Sequence, residues 1–315
     1  MKAPQFWNYR NWQSRLLYPL GCIYAGITAL RLKLTSPYRS TIPVICIGNL
    51  SAGGSGKTPT ALSIARILQQ SGRKPFFISR GYGGKLQNVV VNPQTHSPYD
   101  VGDEPLLLAA QAPVIVNHHR DHAASLAESQ GADTIIMDDG FQNPSLHKDK
   151  SLLVIDGAVG LGNQYPIPAG PLREFFACGI KRADALIILG DDTCNIAAQA
   201  PELPIFRGKV VPQIPTFNHT KILAFAGIGR PQKFFQSLID CGADLCKTFS
   251  FPDHHFYSET ELNQIITEAE NLQAAIFTTA KDAVKIPFAL REKFNVLNID
   301  IVWENEKSLK DFLLS

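Results

Sequence analysis

Pro43-Val44-Ile45-Cys46-Ile47-Gly48-Asn49-Leu50-Ser51-Ala52-Gly53-Gly54-Ser55-Gly56-Lys57-Thr58 is the stretch on which the fold turns. Its first five residues are apolar and partly β-branched, the composition of a short buried strand. The glycines and serines that follow end that strand. Residues 58–70 (TPTALSIARILQQ) then carry apolar side chains at helical spacing as far as Gly72. Pro59 falls in the first helical turn, where the N–H it lacks has no intrahelical partner. A strand, a Gly-rich loop and a helix, in that order, make residues 51–58 a phosphate-binding P-loop. Glycines let backbone N–H groups turn inward around phosphate oxygens, and the helix N-terminus adds partial positive charge. Ser51, Ala52, Gly53, Gly54, Ser55 and Gly56 form the cradle; Lys57 would reach the β- and γ-phosphates, and Thr58 a Mg²⁺ ion. Ser51 stands where the strict G-x-x-x-x-G-K-[ST] pattern has Gly.

Working outward, apolar runs recur at 44–47, 75–78, 113–117, 134–138, 151–155 and 184–189, with helical stretches between several of them. That alternation predicts an α/β fold, a P-loop NTPase-like parallel sheet covered by helices. The run Thr134–Met137 ends in Asp138, Asp139 and Gly140, and an acidic pair at a strand's C-terminal end reads as a Walker-B element holding the metal. Asp103, in Gly102-Asp103-Glu104-Pro105 at the start of a short helix, reads on its own as a helix cap. Arg80 follows the 75–78 strand, and Arg173-Glu174 closes the rigid loop Pro168-Ala169-Gly170-Pro171-Leu172. Asn49, Arg80, Arg120, Arg173 and Glu174 are candidates for phosphate or sugar contact. Asp253-His254-His255 offers neighbouring imidazoles, without an HExxH pattern or a Cys partner that would indicate zinc.

The chain has 315 residues, 45% hydrophobic and 18% charged, enough for a substantial core and about two domains. Six scattered cysteines with no CxxC pair argue against a zinc ribbon or a disulfide scaffold. The net charge of +2 excludes a strongly basic nucleic-acid binder, and no nucleic-acid motif is present. It conceals an asymmetry: twelve Lys and Arg precede the first acidic residue, Asp100, whereas the rest carries 18 basic and 28 acidic groups. One part of the molecule is expected to face an anion. Leu16 to Leu30 holds no charged residue, too short a run to span a bilayer, where about 20 residues are needed. Leu16, Leu20, Ile23, Tyr24, Ile27, Leu30 and Leu34 fall on one helical stripe. An amphipathic helix over about 10–34 therefore either packs on its own protein or lies in the headgroup layer of an anionic leaflet.

Together these residues carry a resemblance. IGNLSAGGSGKTP (47–59), SRGYGG (79–84), GDEP (102–105), DDGFQ (138–142), PAGPLRE (168–174), AGIGRPQKFF (226–235), FPDHH (251–255) and TTAKDAVK (278–285) resemble the tetraacyldisaccharide 4′-kinases, the lipid A 4′-kinases of Gram-negative bacteria. The resemblance implies a peripheral or monotopic enzyme at the cytoplasmic face of the inner membrane. It would use ATP and Mg²⁺ to phosphorylate the 4′-hydroxyl of a tetraacylated glucosamine disaccharide 1-phosphate, with an anionic membrane surface as partner and no obligate protein partner. The family's Ser or Thr at the first loop position matches Ser51. Motif matching further implies that Asp103 and His254, rather than His255, are the catalytic pair beside Lys57, and that Asp138 and Asp139 bind metal.

The expected organisation is a P-loop domain over 1–205, a Pro-rich polar linker over 206–220, and a smaller α/β domain over 221–315 with strands at 221–226, 274–279 and 295–302. His254 would come from the second domain and the nucleotide from the first. The competing reading is a regulatory switch ATPase or GTPase. It fails on spacing: in Thr279-Ala280-Lys281-Asp282 the Lys directly precedes Asp where guanine recognition needs [NT]KxD, and a D-x-x-G switch from Asp138 meets Phe141.

Overall fold

A computed structural model describes residues 4–213, 217 and 219–315. Its strands in chain order are β1 (Val44–Gly48), β2 (Pro75–Ser79), β3 (Val89–Val90), β4 (Val114–Val116), β5 (Thr134–Asp138), β6 (Lys150–Asp156), β7 (Ala185–Leu189), β8 (Ile205–Pro212), β9 (Lys221–Ala226), β10 (Asp244–Ser250), β11 (Ala275–Thr279), β12 (Asn295–Leu297) and β13 (Ile299–Trp303). They form a nine-stranded sheet, ordered β13-β8-β7-β6-β1-β5-β2-β4-β3, and a four-stranded sheet, ordered β10-β9-β11-β12. Only the edge strands β13 and β3 pair antiparallel; the other neighbours are parallel.

β1 lies between β5 and β6 and is buried along its whole length. Ile45 and Ile47 face one layer with Ile64 and Leu68 of the helix Lys57–Gln70. Val44 and Cys46 face the other with Ala123, Ala124 and Ala127 of the helix Arg120–Ser129. A strand covered on both faces must be apolar throughout, which is why β1 reads as a continuous hydrophobic run. The sheet's order reverses at β1, so the P-loop, the acids after β5, Arg80 after β2 and Asp156 at the end of β6 share one C-terminal edge, where such folds bind ligands. The small sheet presents its own C-terminal ends, Gly227 after β9, His254 after β10 and Lys281 after β11, to the same cleft.

The expected boundaries shift in two places. Residues 206–212, read as linker, belong to β8, which joins the large sheet beside β7. The expected strand 295–302 divides: β12 stays in the small sheet, while β13 returns to pair with β8. The helix Glu306–Leu314 follows β13 and buries Leu309 and Leu313 in the large core. Edge strands keep one polar side and so lack the apolar run that marks a central strand. β10 was missed for the same reason, since its residues alternate between exposed and half-buried.

The N-terminal helix, Trp12–Leu34, starts from a capping box between Asn11 and Ser14. It is seated by its small residues: Ser14, Gly21 and Ala25 are buried, and a Cβ on Gly21 would lie 2.8 Å from the Pro166 carbonyl oxygen. The apolar stripe points the other way, with Trp12, Leu16, Ile27 and Leu34 each 63–73% exposed. Packing of that stripe on the protein's own core is therefore ruled out. No described helix is long and apolar enough to cross a membrane.

Candidate active site

The P-loop is built from inside. Asn49 is buried, and its side-chain amide donates to the Ser51 carbonyl (2.7 Å) and the Ser55 hydroxyl (3.0 Å). Its amide donors brace the loop, while its Oδ1 has no hydrogen-bond partner among the described residues. Gly56 adopts φ +87°, in the left-handed region, and a Cβ there would lie 2.3 Å from Leu189 Cδ1. Only glycine enters that turn without strain. The helix then begins at Lys57.

Asp138 and Asp139, adjacent in the chain, have different surroundings. Asp138 is buried; its Oδ2 accepts from the Thr58 hydroxyl at 3.3 Å, and its Oδ1 has no hydrogen-bond partner among the described residues. Burial, reinforced by nearby Glu104 against the pull of Lys57, pushes its carboxyl up to about 7. Asp139 sits at φ +53°, a strained setting for a non-glycine residue. Arg173 grips both its oxygens at 2.8 and 3.2 Å, and Lys57 Nζ lies 3.8 Å away. Burial raises this carboxyl, but the two cations outweigh it and hold it below the ordinary carboxylate value.

Arg173 is thus engaged with Asp139. Glu174 is buried against Arg182 and Gln142. Gln142, which the sequence reading left without a role, also donates to the Asn49 carbonyl at 2.9 Å and so joins the acidic turn to the P-loop. Arg80 is exposed at the end of β2. Arg120 is 2% exposed, with Nε and Nη1 lacking hydrogen-bond partners among the described residues. Burial, with a further push from Arg80, lowers its guanidinium to about 10.

The C-terminal ends of the two sheets meet at Asp103. Gly102 takes φ +90°, and a Cβ there would lie 2.6 Å from the Tyr82 carbonyl oxygen, so the GDEP and SRGYGG segments touch backbone to backbone. Asp103 follows, 4% exposed, with Oδ2 2.9 Å from His254 Nδ1. Burial raises its carboxyl, yet the His254 hydrogen bond and the Lys281 charge bring it below the usual range. The Asp103 hydrogen bond raises His254 above its ordinary value, against burial and Lys281. His254 itself sits at φ +59°. His255 turns away, 3.0 Å from Glu261 and stacked on Phe251. Lys281, quoted within TTAKDAVK but given no role there, lies 3.2 Å from His254 Nε2. The neighbouring Asp282 is fully buried and receives hydrogen bonds from Gly227 N, Tyr257 Oη and Thr279 Oγ1, so this segment shapes the small domain and is not a base-reading loop.

Across the same cleft, Arg230 and Lys233 of the small domain each lie 3.3 Å from Asp156, and Tyr99 stacks on Phe256 at 4.4 Å. No cluster of three or more His, Cys, Asp or Glu side chains arranged for a metal occurs among the described residues.

A P-loop at the centre of a parallel sheet, a split acidic pair after the neighbouring strand, and a carboxylate–imidazole pair facing them define a P-loop phosphotransferase. A family model described as Tetraacyldisaccharide-1-P 4′-kinase matches residues 13–315, and the chain belongs to that family. The Tetraacyldisaccharide 4′-kinase of Rhodospirillum rubrum is 45% identical over 312 residues, covering 96% of this chain and 94% of the relative. That of Parvibaculum lavamentivorans is 47% identical over 300 residues, with 92% and 88% covered. Among solved structures, the LpxK of Aquifex aeolicus in complex with ATP superposes with a TM-score of 0.78 at 27% identity, covering 96% of this chain and 98% of that one.

Proposed function

We propose that this chain transfers the γ-phosphoryl group of ATP to the 4′-hydroxyl of a tetraacylated glucosamine disaccharide 1-phosphate, a step of lipid A biosynthesis. The observation that carries the reading is the Asp103–His254 contact, 2.9 Å, formed by the mouth of a P-loop on one side and the small domain on the other. A sugar hydroxyl is a poor nucleophile, and its kinase gains from a carboxylate positioned to aim it and take its proton, whereas switch GTPases orient a water instead, often with a neutral Gln.

In this reading Asp103 accepts the hydroxyl proton as the new P–O bond forms, and His254 holds the carboxylate in line. Residues 51–58 bind the triphosphate, with Lys57 offsetting charge on the transferred group. Thr58 and Asp138 fit a Mg²⁺ ion: a buried carboxylate with one unpartnered oxygen beside a hydroxyl lacks only a cation. When bound, that ion neutralises phosphate charge. Asp139, held by Arg173, supports the site through Lys57, although both acids are family metal-ligand candidates. Arg120 would meet a phosphate, since a buried guanidinium with free N–H groups is costly unless an anion meets it, and the exposed Arg80 is a second candidate for phosphate contact. Asp156 with Arg230 and Lys233 would draw the domains together around the bound substrates.

The exposed stripe of Trp12–Leu34 supports a peripheral seat on an anionic membrane surface, where an acylated acceptor would be found. The helix and the turn before it reach the site. Trp7 Nε1 donates to the Pro168 carbonyl in the loop that carries Arg173, and Arg31 donates to the Gln142 carbonyl beside the acidic pair.

The deciding experiment follows ADP release from purified protein with and without the acylated disaccharide 1-phosphate in mixed micelles. Release should depend on the acceptor and be lost in Lys57→Ala. Equal turnover without acceptor would instead favour a switch nucleotidase.

A further inference from the structure

His254 is held at both ring nitrogens. Nδ1 lies 2.9 Å from Asp103 Oδ2, and Nε2 lies 3.2 Å from the ammonium of Lys281. That ammonium also stands 3.2 Å from Asp253 Oδ1 and 3.9 Å from Glu104 Oε1. One lysine therefore ties together the two segments that carry the pair, GDEP and DHH, from the C-terminal end of β11. An ionised carboxylate can only accept and an ammonium can only donate. The hydrogen facing Asp103 must then sit on Nδ1, and the lone pair facing Lys281 on Nε2. A doubly protonated ring would set an N–H against an N–H donor at 3.2 Å.

We propose that Lys281 is a positioning residue that holds His254 as the neutral Nδ1–H tautomer, so that His254 aims Asp103 without itself taking the proton. This deepens the reading of Asp103 and His254 as the reacting pair and rests on it. The atoms balance simply: the acceptor hydroxyl gives its proton to Asp103, the alkoxide oxygen forms the bond to phosphorus, and ADP leaves. The imidazole keeps one proton throughout.

The consequence is electrostatic. A neutral donor leaves Asp103 more basic than an imidazolium in direct contact would, because the positive charge is moved one ring away. The groups facing this imidazole are Asp103, with Glu104 on the same helix; Asp253 on its own loop; the Tyr82 ring, 5.9 Å away; and Lys281, with Lys285 beyond it acting on Asp103. The Asp103 hydrogen bond favours the charged ring, and Lys281 opposes it. Removing Lys281 therefore lets His254 charge at higher pH, and the acidic limb of the kcat/KM profile should move up.

Two measurements test this on the full-length protein. The first is ¹⁵N NMR of histidine-labelled wild type on the alkaline side of neutral, because the Asp103 hydrogen bond raises the ring above its ordinary value, with the His254 signal assigned by its loss in His254→Gln. A neutral ring with its proton on Nδ1 is expected. A proton on Nε2, or a doubly protonated ring, overturns the proposal without any Lys281 variant having to fold. The second is the pH profile of Lys281→Met beside Lys281→Arg. The acidic limb should rise by about one pH unit in Lys281→Met, with ATP affinity kept, and return most of the way in Lys281→Arg. A uniform loss at every pH, with the limb unmoved, would make Lys281 a structural strut and overturn its electrostatic role. Failure of the underlying pair reads out separately: Asp103→Asn turning over at the wild-type rate would remove the base, whereas the proton position on His254 is measured independently of turnover.

Discussion

Replacing Asp103 by Asn keeps the size and one acceptor oxygen but removes the proton acceptor, so the change isolates chemistry from packing. Asp103 is 4% exposed, leaving little room for water to substitute as base. Loss of a positioned general base costs roughly 10²- to 10⁴-fold in rate. His254→Ala removes the 2.9 Å hydrogen bond to a charged carboxylate. Such bonds contribute about 1.5–3 kcal/mol, and because the His254 side chain is 34% exposed the lower end applies. The expected loss is about tenfold. If His254 acts only through Asp103, the double variant should be no more than about threefold worse than Asp103→Asn alone, a coupling of about 0.7 kcal/mol or more. The assay is initial-rate phosphorylation of the acylated disaccharide 1-phosphate in mixed micelles, with ATP affinity measured separately and expected to be unchanged. Losses that multiply, about tenfold beyond Asp103→Asn, would show that His254 works independently of the carboxylate and would refute the pairing.

Three further outcomes follow from the same geometry. Because burial pushes Asp138 up to about 7, protons should compete with Mg²⁺ there; Mg²⁺ affinity of the nucleotide-loaded protein, measured by calorimetry, should weaken as pH falls through neutrality, and Asp138→Asn should flatten that dependence. Changing Leu20 and Ile27 to Glu on the exposed stripe should release the protein from anionic vesicles in flotation, with salt weakening wild-type binding; unchanged flotation would move the membrane contact elsewhere. Gly56→Ala forces a side chain into φ +87° and should lower stability by about 1–3 kcal/mol, together with ATP affinity, as read by thermal melts with and without nucleotide.

The P-loop, the central strands and the acidic end of β5 were legible because contiguous residues decide them. A strand buried on both faces is apolar along its length, and a phosphate loop needs its glycines and Lys57 within a few residues of one another. Family motifs pointed to Asp103 and His254. What separates His254 from His255, though, is a left-handed turn that faces one ring to Asp103 and the other to Glu261, and no local pattern encodes that contact between residues 151 positions apart. The same holds for Asp138 and Asp139. Adjacent and chemically alike, they diverge because one is buried beside a hydroxyl and the other lies between Lys57 and Arg173. β8, only partly buried along its length, reads as linker, and the expected strand 295–302 gives no sign that its second half, β13, leaves the small sheet to pair with β8. The N-terminal stripe was visible as a period, but its direction was not: a helix with one apolar and one small-residue side can seat either against the protein, and the close approach of Gly21 to the Pro166 carbonyl turns the leucines and isoleucines outward.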